Sequence, residues 1–99
     1  MAGRAGMSGE TITHDAAARR YSLVIDGTEA YLTYERPAKD RMHITHTIVP
    51  DKIGGRGLGK RLVTRAMEDA IAAGDKVSSS CWYATALIEK KPEWAAQQA

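Results

Sequence analysis

Residues 54–61, Gly-Gly-Arg-Gly-Leu-Gly-Lys-Arg, put glycine at four of six consecutive positions and surround them with Arg56, Lys60 and Arg61. An amphipathic run begins at Leu58, so the loop opens a helix. A helix start exposes unpaired N–H groups and a partial positive charge, and acidic residues are favoured there. This chain does the reverse, with no Asp or Glu nearer than Asp51. Such an arrangement suits a phosphate-type anion, and Gly55, Gly57 and Gly59 let the backbone approach it without a Cβ in the way. The alternative is a flexible glycine turn flanked by solvated basic side chains.

Other anion sites fit the loop less well. Gly54, Gly59 and Lys60 fall at the spacing of a nucleotide-triphosphate loop, but Arg61 stands where the Mg²⁺-binding hydroxyl must be. No second acidic strand follows to complete such a site. Gly54-Gly55-Arg56-Gly57 also reads as the GXXG loop of a KH-type RNA-binding module. That loop joins two helices, whereas "HITHTIVP" before it alternates like a strand.

The elements that must position this loop follow from periodicity and turn residues. Residues 1–18 are rich in Ala, Gly and polar residues without a period and read as a flexible tail, leaving 19–99 as a single domain. "RYSLVID" alternates Tyr21, Leu23 and Ile25 against Ser22, Val24 and Asp26, and "AYLTYE" alternates similarly. Asp26-Gly27 between them signals a tight hairpin. "RPAKD" reads as a turn holding Pro37, and the next strand alternates Met42, Ile44, His46 and Ile48 against His43, Thr45, Thr47 and Val49. Leu58, Leu62, Val63, Ala66, Met67 and Ala70 then line one side of a helix that Gly74 stops. "DKVSSS" is a short strand centred on Val77, parallel to the strand before the loop, and "WYATALIEKK" is a second helix ended before Pro92. The predicted fold is α/β (α+β), a mixed, mainly antiparallel sheet of about four strands with two helices.

Composition narrows the setting. The net charge is +2, from 14 basic and 12 acidic residues, so neither nucleic acid nor a membrane surface is an expected partner. The single cysteine, Cys81, cannot form an internal disulfide, which fits a reducing compartment. No signal-peptide core or membrane-spanning run is present in the sequence, and the expected location is the cytoplasm.

The run from His46 to Ala70, "HTIVPDKIGGRGLGKRLVTRAMEDA", together with "KVSSSCWYATALIEKKPEW", resembles the GNAT superfamily of N-acetyltransferases in its minimal, single-domain branch. The resemblance extends from Tyr21 to Trp94 and includes "DG", "YLTYE", His-Thr-x-Val-Pro, Gly-Arg-Gly-x-Gly and Lys-Pro-Glu-Trp. It implies acetyl transfer from acetyl-coenzyme A to an amine, without a metal. It also implies that Arg56, Gly57, Leu58, Gly59 and Lys60 hold the coenzyme A pyrophosphate through backbone N–H groups, with Gly55 in the same loop. Ile48 and Val49 would face the pantetheine arm, in a gap between two splayed parallel strands. The chain departs from the family pattern at Gly54, where Arg or Gln is usual, and at Ile48, where the minimal branch usually has glutamate. A non-catalytic coenzyme A-binding or interaction module is therefore the alternative.

Transfer to an amine needs a base for the amine, a proton for the leaving thiolate and a donor for the carbonyl oxygen. His46 is the base the strand offers, since imidazole titrates near neutrality; a hydrogen-bonded strand histidine is the alternative. Cys81 stands at the start of the second helix, whose positive end favours a thiolate, and relatives commonly carry a cysteine there; an inert core thiol is the alternative. Tyr83 is a candidate proton donor to the thiolate, as a tyrosine is in many larger superfamily members, or else a packing residue. His14 and His43 have no such placement, and no metal site is expected.

Overall fold

The computed structural model of the chain describes residues 11–99. Its elements in chain order are β1 (Thr13–Asp15), β2 (Arg20–Ile25), β3 (Thr28–Ala38), β4 (Arg41–Ile48), a 3₁₀ turn (Asp51–Ile53), α1 (Leu58–Ala73), β5 (Lys76–Ser79), α2 (Trp82–Lys90) and α3 (Pro92–Ala95). The sheet runs β1-β2-β3-β4-β5, antiparallel as far as β4, with β5 parallel to β4. This is the mixed sheet expected, with a fifth strand and a short third helix added.

The fifth strand corrects the reading of the N-terminal segment. Thr13–Asp15 pairs with β2 inside what was expected to be a loose tail, while residues 1–10 of that tail lie outside the described residues. Three residues are too few to show a period. What holds them is tertiary: the His14 ring stacks on Tyr21 at 4.1 Å and its Nε2 is 2.7 Å from the Tyr34 hydroxyl. Tyr21 in turn donates to Asp69 at 2.8 Å, and burial, then that bond, raises its pKa well above the ordinary tyrosine value.

Local signals elsewhere act as expected. Asp26 and Gly27 both take positive φ, the hairpin turn whose twist matches the flanking strands. α1 buries Leu58, Leu62, Val63, Ala66, Met67 and Ala70 against the sheet, and Gly74 caps it in a left-handed conformation, its N–H on the Ala70 and Ile71 carbonyls. Pro37 is a correction: it lies within β3, beside a register shift between Glu35 and Ala38, where a missing N–H does no harm.

A second irregularity decides the site. Thr33 pairs with His46, yet Tyr34 pairs with Ile44, so Thr45 is an extra residue in β4. A bulge of this kind resets the alternation by one. Met42 and Ile44 face the helices as expected, but His46 and Ile48 turn to the open face and Thr47 moves to the helix side, opposite buried Leu32. Pairing of β4 with β5 stops at the same level, the Ser80 N–H on the Ile44 carbonyl at 3.0 Å being its last bond. Beyond it the end of β4 and the start of α2 stand apart.

Candidate active site

The glycine loop is held from below by Ile53, buried in the 3₁₀ turn, and by Leu58, buried at the start of α1. Gly57 is the N-cap at φ 72°, ψ 20°, a left-handed conformation that suits glycine; no side chain caps the helix and no acidic residue sits in its first turn. The first N–H groups of α1 thus stay available to a ligand. A Cβ on Gly59 would lie 2.9 Å from Cε2 and 3.1 Å from the hydroxyl of Tyr83, so glycine there makes room for that ring.

Loop, strand and helix enclose a cleft of about 460 Å³ lined by Thr47, Val49, Gly54, Gly55, Gly57, Leu58, Gly59, Cys81, Trp82 and Tyr83. The Thr47 hydroxyl is buried without a hydrogen-bond partner among the described residues, a polar group for a ligand to satisfy. On the open face of the sheet a groove of about 410 Å³ is lined by Thr45, His46, Thr47, Ile48, Ser80, Cys81 and Trp82. The two hollows meet at Thr47, Cys81 and Trp82, between the end of β4 and the start of α2, beyond the point where β5 ends.

Of the residues singled out from sequence, Val49, Gly55, Gly57, Leu58, Gly59, Cys81 and Tyr83 come together in the cleft. His46 and Ile48 line the groove instead, on the far side of Cys81, because of the bulge at Thr45. Ile48 therefore does not share the cleft wall with Val49. The side chains of Arg56 and Lys60 are not part of the cleft lining: Arg56 lies 4.0 Å from the Asp26 carboxylate, and Lys60 borders a separate hollow beside Arg61 and Arg65. Of the two, only Lys60 places a backbone N–H in the first turn of α1.

Cys81 is a half-buried free thiol at the N-cap position of α2. The Ser79 hydroxyl clamps its backbone, accepting from the Cys81 N–H at 3.0 Å and donating to its carbonyl at 2.9 Å. That fixes the thiol at the junction of cleft and groove. Sequence reasoning missed Thr47, Gly54 and Trp82 as lining residues, and missed His43, whose Nδ1 is 2.6 Å from Ser78 Oγ and whose Nε2 is 2.8 Å from Ser80 Oγ. The pattern Ser78-x-Ser80 carried a faint signal, since alternate residues share a strand face.

A central mixed sheet that opens beside an uncapped, glycine-led helix defines a class. Residues 20–97 match the family model of the GCN5-related N-acetyltransferases, and the chain belongs to that family. Among its relatives, Protein NATD1 of Xenopus tropicalis is 32% identical over 83 residues, covering 82% of this chain and 76% of that protein. Protein NATD1 of Mus musculus is 31% identical over 83 residues with the same coverage. The solution structure of a GCN5-like protein from Staphylococcus aureus superimposes with a TM-score of 0.75 at 27% identity, covering 94% of this chain and 91% of that one. No helix of the described residues is long and apolar enough to cross a membrane.

Proposed function

We propose that this protein transfers the acetyl group of acetyl-coenzyme A to an amine. The observation that carries the reading is the path of the cleft, from the uncapped start of α1 to Cys81, where it meets a groove from the opposite face. Acetyl-coenzyme A supplies an acetyl group activated as a thioester. The N–H groups of Gly57, Leu58, Gly59 and Lys60 are suited to its pyrophosphate, and the buried Thr47 hydroxyl to an amide of the pantetheine arm. Tyr83, above Gly59, is the group to protonate the leaving thiolate. Cys81 positions the thioester or polarises its carbonyl, in keeping with direct transfer to the amine. The reading includes a reducing, cytoplasmic setting in which this half-buried free thiol persists.

The amine would enter through the groove, whose lining holds no Asp or Glu. An acceptor with one amine on an uncharged body suits it better than a polyamine, whose further charges would lack partners. Two imidazoles stand near this entry, His46 in the groove wall and His43 behind Ser80.

A non-catalytic coenzyme A-binding module is the second reading, favoured by Ile48, which presents an alkyl chain to the groove where the family resemblance implies a carboxylate. Thermal melting and turnover separate these outcomes. Acetyl-coenzyme A at 100 times its dissociation constant stabilises the fold by about 2.7 kcal/mol, and ATP with Mg²⁺ does not. Equal stabilisation by ATP would overturn the cofactor assignment; stabilisation without turnover of any amine in a broad panel would favour the second reading.

A further inference from the structure

We infer that Ser80 and His43 form the proton relay for an amine bound in the open-face groove, Ser80 Oγ touching the amine and His43 Nε2 receiving the proton. The inference rests on the acetyltransferase reading and names the base of that same site.

The parallel register sets His43 beside Ser78, and alternation puts Ser80 on the same face one step further on. Both serine oxygens lie against the ring, Ser78 Oγ at 2.6 Å from Nδ1 and Ser80 Oγ at 2.8 Å from Nε2. A neutral imidazole has one N–H and one bare nitrogen, so with hydroxyls on both sides one nitrogen donates and the other accepts. When Nδ1–H donates to Ser78, the ring is locked in the tautomer whose Nε2 accepts from the Ser80 hydroxyl. Ser80 is exposed to the groove and adjoins Cys81, at the junction with the cleft. The same hydroxyl therefore reaches both the incoming amine and a base.

Nothing else in the groove is so arranged. Its lining has no carboxylate, and among the described residues no side-chain hydrogen bond orients the His46 ring, which is exposed. His43 is held on two sides and half-buried. The charged groups around it on this face are Glu35, directly opposite on β3, and Arg41 and Lys76, one pleat away on β4 and β5.

For deprotonation of the ammonium the proton balance closes, and the second N–H proton, lost once nitrogen has attacked, matches the one that Tyr83 gives the leaving thiolate. An ammonium proton moves to Ser80 Oγ as the Ser80 hydroxyl proton moves to His43 Nε2. Ser80 is regenerated, the amine gains the lone pair that attacks the thioester carbonyl, and His43 becomes an imidazolium donating to both serines. Water then takes the proton from the half-buried ring.

Two measurements on the full chain test this. Nitrogen-15 NMR of the neutral His43 ring is expected to show the Nδ1–H tautomer; the Nε2–H tautomer would overturn the relay, because Nε2 could then accept nothing. With acetyl-coenzyme A and phenethylamine as probe acceptor, His43→Gln retains an amide able to bond both serines but cannot titrate. Its kcat is expected to fall about 10²- to 10⁴-fold and to lose the acidic limb of the pH profile. Ser80→Ala should match that loss and Ser80→Thr should recover most of it. An acidic limb kept in His43→Gln but lost in His46→Gln would assign the base to His46 and refute the relay alone. A wild type that acetylates no amine, phenethylamine and the wider panel included, would instead remove the transferase reading and the relay with it.

Discussion

Along the cleft, Gly54, Gly55, Gly57 and Gly59 present backbone, whereas across Cys81 the groove presents hydroxyl, imidazole and indole side chains from Thr45, His46, Ser80 and Trp82. The two hollows share a wall but are sensitive to opposite kinds of change. A backbone-lined cleft is damaged by adding atoms, since the N–H donors exist in any sequence that keeps the geometry. A groove of side chains is damaged by removing atoms, since its chemistry resides in them. Trp82, 80% exposed at the junction, belongs to both.

Adding atoms to the cleft gives the largest expected effect. Gly59→Val places a branched side chain where even a Cβ would lie 2.9 Å from the Tyr83 ring. Overpacking of this kind costs about 1–3 kcal/mol, and displacement of Tyr83 should also abolish stabilisation by acetyl-coenzyme A. Denaturant titration with and without the cofactor reads both; a variant as stable and as responsive as the wild type would mean that the cleft does not depend on its missing Cβ.

Removing an atom at the shared wall comes next. Cys81→Ala should lower turnover about ten- to a hundredfold, equivalent to roughly 1.4–2.7 kcal/mol in the barrier, with the cofactor-induced melting shift preserved. Alkylation of Cys81 in the wild type should slow when coenzyme A is bound. Full activity in the alanine variant, and alkylation indifferent to coenzyme A, would place this thiol outside the site.

Adding atoms where there is room should have the reverse sign. Gly54 has φ −70°, and a Cβ there would meet the Asp51 carbonyl at an ordinary 3.5 Å. Gly54→Arg should fold normally and tighten coenzyme A binding roughly tenfold, about 1.4 kcal/mol, through charge-assisted bonds to phosphate. Calorimetry showing unchanged affinity would mean that this end of the loop does not meet the pyrophosphate.

The smallest effect serves as a control remote from both hollows. Tyr21, fully buried, has its pKa raised by burial and then by its bond to Asp69, from an ordinary value of 10.0. The unfolded chain therefore ionises first: stability from this group is intact below pH of about 10 and falls as pH rises beyond it. Tyr21→Phe should cost about 1 kcal/mol at neutral pH, flatten that alkaline fall, and leave the acetyl-coenzyme A shift unchanged. An alkaline fall as steep as in the wild type would assign it to other groups, Tyr34 first, whose pKa is also raised by burial.

Legibility divides along the same physical line. The Asp26-Gly27 hairpin, the apolar face of α1 and its glycine cap were open to reading because each depends on residues within a turn or two of one another. The loop was legible for the same reason: glycines and an acid-free helix start act through local backbone. Pro37 in a strand, β1 and the bulge at Thr45 were not, since each depends on a partner strand remote in sequence.

The site shows the consequence most plainly. From sequence came the uncapped, glycine-led start of α1 and the candidacy of Cys81 and Tyr83, because residue type and short spacing determine where backbone N–H groups and a helix terminus fall. Tertiary structure alone decided that Thr47 joins Val49 in the cleft while His46 and Ile48 line the groove, and that His43 sits between Ser78 and Ser80. One inserted residue in a pleated strand exchanges its two faces, and whether it is inserted depends on the register with β3, which no local pattern in β4 encodes.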